Sequence, residues 1–134
     1  MRFWHSTATL ETERWVDLAV DAEAAGFDGV AVSDHISYTT DLQSAYPGSS
    51  DGKPFWGSVT PWPDPWVLIG AMAASTKTLL FTTNVYVAPA RDLFTVAKLV
   101  STAAVVSGQR VSLGVGAGWC REEFEQTGQD FTTR

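Results

Sequence analysis

The chain is short of several things, and each shortage removes a class of function. It has one cysteine, Cys120, so no internal disulfide can form. A disulfide-stapled secreted scaffold is excluded, and a reduced, cytoplasmic setting is expected. The two histidines, His5 and His35, are well separated in sequence and with one thiol do not compose a metal-ligand set. No apolar run approaches the roughly 18 residues a membrane-spanning helix needs. The opening MRFWHS lacks the apolar core of a signal peptide, and none is expected. Cationic residues are scarce: 9 Lys and Arg face 15 Asp and Glu, for a net charge of −6 and no basic cluster. Nucleic acid and anionic membranes are therefore poor partners.

What the chain does have is apolar mass. Hydrophobic residues make up 45% and charged residues 18% of its 134 positions, which suits one folded domain with a core. It carries 6 tryptophans, three of them (Trp56, Trp62, Trp66) close together in sequence.

The pattern alternates between strand-like and helix-like segments. RFWH, Arg2 to His5, reads as a short first strand. ETERWVDLAVDAEAAG reads as an amphipathic helix with Trp15, Leu18, Ala19, Ala22 and Ala25 on one face, Thr9 or Thr12 as its cap and Gly26 just past its end. GVAV, Gly29 to Val32, has no polar alternation and suits a strand buried on both faces. Residues 36–63 form a long irregular stretch punctuated by Pro47-Gly48 and Asp51-Gly52; a loop of this length in a compact domain is usually functional. Asp64-Pro65 marks a helix start, with Asp64 as N-cap, and the helix is apolar nearly all round. LLFTTNVYV, Leu79 to Val87, predicts a third strand. A helix over Asp92–Ser107 should bury Val96, Ala97, Val100 and Ala104. RVSLGVG, Arg110 to Gly116, predicts a fourth strand, and AGWCREEFEQTG opens a last helix. Four strand–helix units imply parallel strands with helical crossovers, in an open doubly wound sheet or a (β/α)8 barrel. A full barrel takes roughly 250 residues, about twice this chain.

In both architectures ligands sit at the C-terminal ends of the strands. Asp34 and His35 fall at that edge. His35 can move a proton near neutral pH, and Asp34 can orient it or accept a proton itself. The bland alternative is a turn cap and a satisfied loop histidine. Thr82, Thr83 and Asn84 interrupt an apolar strand and need partners, either a ligand or a network between strands. Gly116 and Gly118 in GVGAGW permit close backbone approach to something flat or anionic. The third glycine of a dinucleotide fingerprint is missing, so that fold signature fails. Trp56 and Trp62 suit either a pocket wall or core, and Trp66, inside a helix, suits core. Cys120 sits at a helix start, where thiol pKa values tend to fall, but lacks an evident histidine base.

These segments, GFDGVAVSDH, DGKPFW, TNVYVAPAR and SGQRVSLGVGAGW, occur in order and resemble the luciferase-like monooxygenase superfamily. Within it the resemblance is to the branch of oxidoreductases that use the deazaflavin coenzyme F420. The resemblance implies an α/β fold of the (β/α)8 TIM-barrel family, with residues 1–134 supplying the first four βα units, a half barrel. It implies hydride transfer between F420 and a small organic substrate, with FMN-dependent oxygenation as the alternative. By the same resemblance Asp34 and His35 are catalytic, and His35, Thr83, Asn84, Val85, Gly116, Ala117, Gly118 and Trp119 bind cofactor. A non-proline cis peptide is expected at Asn84-Val85. Trp119 stands where some F420 enzymes carry a glutamate proton donor, and neither Glu122 nor Glu123 is assigned that role. The cofactor phosphate would be gripped from a second half-barrel. The chain is thus expected to be a fragment, or to self-associate as a homo-oligomer over its open strand edge, with a non-catalytic, self-associating half barrel as the remaining alternative.

Overall fold

The computed structural model describes residues 1–134. Four short strands form one parallel sheet in chain order: β1 (Trp4–Ser6), β2 (Gly29–Val32), β3 (Leu80–Thr83) and β4 (Val111–Ser112). Ala31 lies opposite Thr82, and Thr82 opposite Ser112, so the strand ends come level at one edge. Helices α1 (Trp15–Ala24), α2 (Pro65–Ser75), α3 (Leu93–Val106) and α4 (Arg121–Thr127) follow the strands in turn. No helix is long and apolar enough to cross a membrane.

All of β2 is buried, as its unbroken apolar run predicts. The core lies between the sheet and the first three helices and includes Val30, Val32, Ile69, Met72, Leu79 and Phe81. Two polar side chains tie the layers at their lower rim. The Glu23 carboxylate receives the backbone N–H groups of Lys77, Thr78 and Leu79. Those bonds, that of Thr78 first, hold its pKa down at about 2. The Arg110 guanidinium donates to the carbonyls of Ala73, Thr76 and Leu79, satisfying the C-terminal end of α2.

Three expectations are corrected. The first helix starts as a 3-10 turn (Thr12–Arg14), and neither Thr9 nor Thr12 caps it; Glu11 precedes the turn and Arg14 precedes α1 without side-chain cap bonds. The third strand stops at Thr83 instead of running to Val87, and the fourth spans only Val111–Ser112 instead of Arg110 to Gly116; beyond them the two segments pair again only at the isolated bridge of Tyr86 and Val115. Helix α3 buries Val96 and Ala103 and partly buries Leu99 and Val100, while Ala97 is exposed. Apolar residues surround this helix, so spacing alone does not fix its inward face. Leu93, Phe94, Val105 and Val106 on α3, with Leu113 and Val115 beyond β4, remain exposed.

Asp64 caps α2 as its sequence position predicts, accepting from the N–H groups of Trp66 and Val67 at 3.0 Å each. Asp64→Ala is expected to cost about 1 kcal/mol. Urea unfolding measures this, and an unchanged midpoint would show the cap to be dispensable.

Candidate functional site

Three segments meet at the C-terminal edge of the sheet: residues 33–36 after β2, 84–90 after β3 and 113–120 after β4. Thr83 joins the last two from below. Its hydroxyl donates to the Gly114 carbonyl at 2.8 Å and accepts the Gly114 N–H at 3.0 Å. Thr83 is therefore a clasp between strands, buried away from the mouth, and not a cavity residue as expected. Above it the Asn84-Val85 peptide is cis, and the Tyr86 N–H donates to Gly114 O at 2.7 Å. Gly116 lies so close to Val85 that an added Cβ would collide with the valine side chain. Gly118 has φ +84°, and a Cβ there would meet Val87 and the Phe124 ring.

These segments enclose a cavity of about 380 Å³. Its lining brings together Asp34, His35, Asn84, Val85, Gly116, Ala117, Gly118 and Trp119, which is every expected site residue except Thr83. The opposite wall comes from the long loop, through Tyr46, Phe55, Trp56 and Trp62. Trp66 instead lies in the core against Tyr86, as expected.

Asp34 and His35 turn to different partners. The Asp34 side chain is fully buried and forms a bidentate pair with Arg91, at 2.7 and 2.8 Å. It also accepts the Val87 N–H at 2.9 Å. Arg91 donates back to Val87 O at 3.1 Å and stacks over the Tyr86 ring at 4.3 Å. With both oxygens so committed, Asp34 does not orient His35. Glu123 does: its Oε1 accepts from His35 Nδ1 at 3.0 Å and from the Ile36 N–H at 2.9 Å. Glu123 is 2% exposed. A carboxylate oxygen bonded this way accepts, so the pattern assigns the proton to Nδ1. Nε2 is then left without a protein partner on a ring that borders the cavity. Sequence reasoning set Glu123 aside and did not single out Arg91. The available signal was Glu123's place beside Phe124 on the inward face of α4, next to the glycine turn.

The start of α4 also fastens the long loop. Glu122 Oε1 accepts from the N–H groups of Gln43 and Ser44, at 2.7 and 3.0 Å, and the Arg121 N–H donates to Ser44 Oγ at 3.0 Å. Burial alone would raise the Glu122 pKa, but the bonds from Ser44 and Gln43 outweigh it and hold it at about 2. The helix start does not lower the Cys120 thiol pKa. Burial, with the Glu122 hydrogen bond and the two glutamate charges adding to it, pushes its thiol up to about 12, despite an opposing backbone bond. It is not an activated nucleophile.

The mouth fits a flat ring better than a phosphate. Val85 and Ala117 expose apolar surface beside glycine backbone. No lysine or arginine lines the cavity.

Asp34→Ala would leave the Arg91 guanidinium, whose side chain is 17% exposed, without its carboxylate. The expected loss is about 3–5 kcal/mol, with Asp34→Asn less damaging, read from denaturant unfolding. An Asp34→Ala loss under about 1 kcal/mol, the scale of a surface pair, would refute the ascribed role. Cys120 has a raised pKa, so its neutral thiol persists in the folded chain above the free value of about 8.5, and the stability linked to it is full below that value and falls from there until about pH 12. Iodoacetamide at about pH 8 is expected to label native protein far more slowly than unfolded protein; equal rates would contradict this.

The family model described as luciferase-like monooxygenase matches residues 2–134. An uncharacterized protein of Mycobacterium tuberculosis is 34% identical over 134 residues, covering 100% of this chain and 46% of the relative. A second from that organism is 34% identical over 107 residues, covering 80% of this chain and 38% of its own. The chain thus spans about half the length of the curated relatives it matches. Among solved structures, a monooxygenase from Streptomyces bottropensis superposes with a TM-score of 0.73 at 18% identity, over 97% of this chain and 37% of that one. The oxygenating constituent of 3,6-diketocamphane monooxygenase from Pseudomonas putida, in complex with FMN, gives 0.69 at 20% identity, over 96% and 32%. An F420-dependent secondary alcohol dehydrogenase in complex with an F420-acetone adduct gives 0.62 at 24%, over 88% and 32%. These structural likenesses establish the fold, in which the four βα units here correspond to part of a TIM barrel. The chain belongs to the luciferase-like monooxygenase family.

Proposed function

We propose that residues 1–134 are the N-terminal half of a luciferase-like barrel that carries out hydride transfer with coenzyme F420 on a small organic substrate. The observation that carries this reading is the meeting, in one cavity, of a histidine held at Nδ1 with the flat mouth formed by Val85, Gly116 and Ala117. Asn84, Val85, Gly116, Ala117 and Gly118 would seat the ring, with Trp119 at its margin. A bound deazaflavin supplies a two-electron hydride acceptor or donor; FMN in the same seat would in addition permit oxygen chemistry.

The protein's own contribution is positioning and proton handling. Glu123 fixes the His35 tautomer and keeps Nε2 free. In the oxidising direction Nε2 takes the substrate hydroxyl proton as the hydride departs; in the reducing direction the imidazolium returns it. Asp34 acts through Arg91 and Val87, keeping the segment after β3 beneath the ring seat. The absence of cations from the lining leaves the cofactor's phosphate to be held elsewhere, by residues outside those described or by a partner chain.

Titration with F420 and with FMN, followed by cofactor fluorescence, tests the reading. Saturable F420 binding is expected. His35→Asn is expected to lower turnover by roughly 10²–10⁴ while leaving cofactor affinity largely intact. Saturation by FMN alone, with oxygen consumed by the reduced cofactor, would replace hydride transfer with oxygenation. Binding of neither would reject the proposal.

A further inference from the structure

We propose that residues 45–63 are a lid over the cavity, an aromatic flap that swings between two fixed ends, Ser44 and Asp64, and closes on Trp119 and His35. This goes beyond the cofactor reading above and holds for whichever flat ring the cavity takes.

The long loop changes character at Ser44. Up to that point directional bonds tie it to α4. Glu123 Oε1 accepts the Ile36 N–H at 2.9 Å, and Gln126 Nε2 donates to Thr39 Oγ1 at 3.0 Å. Glu122 Oε1 accepts the N–H groups of Gln43 and Ser44, and Ser44 Oγ accepts the Arg121 N–H. Beyond Ser44 every hydrogen bond stays inside the loop. The Tyr46 N–H donates to Gly52 O at 2.7 Å, the Lys53 N–H to Asp51 Oδ1 at 3.1 Å and the Thr60 N–H to Gly57 O at 3.0 Å. The chain is fixed again at Asp64, whose carboxylate caps α2.

Across the cavity this segment meets the body through rings. Tyr46 and Trp56 lie 5.2 and 6.4 Å from Trp119, and Trp56 and Trp62 lie 4.9 and 4.8 Å from His35. Such contacts part and re-form without stranding a buried backbone group. Within the flap, Trp56 packs on Tyr46 and Phe55 at 4.9 Å each and on Trp62 at 5.3 Å, so the rings travel together. Little else commits the flap to the core: Phe55 is 70% and Val59 92% exposed. Segments with internal bonds and few buried apolar side chains are the ones a fold opens most readily. Closure also leaves the Trp62 Nε1–H buried with no protein acceptor, a cost that opening relieves. The two fastened ends distinguish a lid from a loose strand of chain, because they return the flap to one closed position.

Two indoles provide the test. Trp62 in the flap and Trp66 in the core both bury an Nε1–H that no protein group accepts. With no hydrogen bond to break, their exchange with deuterium reports access of water, and NMR resolves the two indole signals. Trp62 is expected to exchange about a hundredfold faster than Trp66. Trp119→Ala removes the ring on which the flap closes; it is expected to speed Trp62 about tenfold and leave Trp66 unchanged, whereas a general loss of stability would speed both. Saturating F420 or FMN is expected to slow Trp62 about tenfold by holding the flap shut. Equal rates for the two indoles, equal acceleration of both by Trp119→Ala, or cofactor binding that leaves Trp62 exchange untouched would each overturn the lid. If neither cofactor binds, the cofactor reading fails, and the two indoles of the free chain still decide for or against the lid.

Discussion

Asp34 is a fully buried carboxylate at the end of a fully buried strand, and the shape of the mouth depends on how it is paid for. Removing a carboxylate from water costs several kcal/mol, and its pair with a guanidinium recovers this only with good geometry and further hydrogen bonds. Both conditions are met: two parallel bonds to Arg91, and the Val87 N–H on the same carboxylate. Because Arg91 also grips Val87 O and lies over Tyr86, the pair holds the whole turn from Tyr86 to Arg91 against the tip of β2. That turn carries Val85 at its entrance, and Gly116 follows Val85 by close contact. The ion pair thus ties the segment after β3 to the tip of β2, while Thr83 and Tyr86 tie it to Gly114 after β4.

The pairing also explains why adjacent residues have separate tasks. The Asp34 side chain is buried and saturated with donors, so it is a fixed element of the scaffold. His35 points across to α4, where the Glu123 carboxylate is buried but accepts from both the imidazole and the following backbone. The Asp34 carboxylate therefore has both oxygens bonded, and Glu123 holds the imidazole through Oε1. His35 Nε2 is left without a protein partner on a ring that borders the cavity.

Much of the fold was legible from periodicity and punctuation. GVAV at Gly29 to Val32 and the Asp64-Pro65 start are local signals, and the chain obeys them. The edge position of His35 followed from the parallel topology alone. The supports were not legible in the same way. Arg91 meets Asp34 across 57 residues and Glu123 meets His35 across 88, and no local pattern encodes such distances. Glu123 was also disguised: acids in the first turn of a helix ordinarily serve the helix dipole in solvent. For Thr83 the residues left two readings, a ligand contact or a network between strands, and its bonds to Gly114 make it the second.

The long loop shows what this economy of charge permits. A stretch rich in glycine, proline and serine has little reason to hold one conformation, yet its aromatics form a wall. Its order comes from α4, whose first turn offers Glu122 to Gln43 and Ser44 and whose Glu123 takes Ile36. Trp119, one residue before Cys120 and the helix, then meets Tyr46 at 5.2 Å and His35 at 5.9 Å, joining the same wall from the strand side. The helix after β4 consequently orients the imidazole and fastens the surface facing it through neighbouring carboxylates. Any displacement of α4 would disturb both together, so the distance between histidine and aromatic wall is kept by one short helix and not by the loop itself.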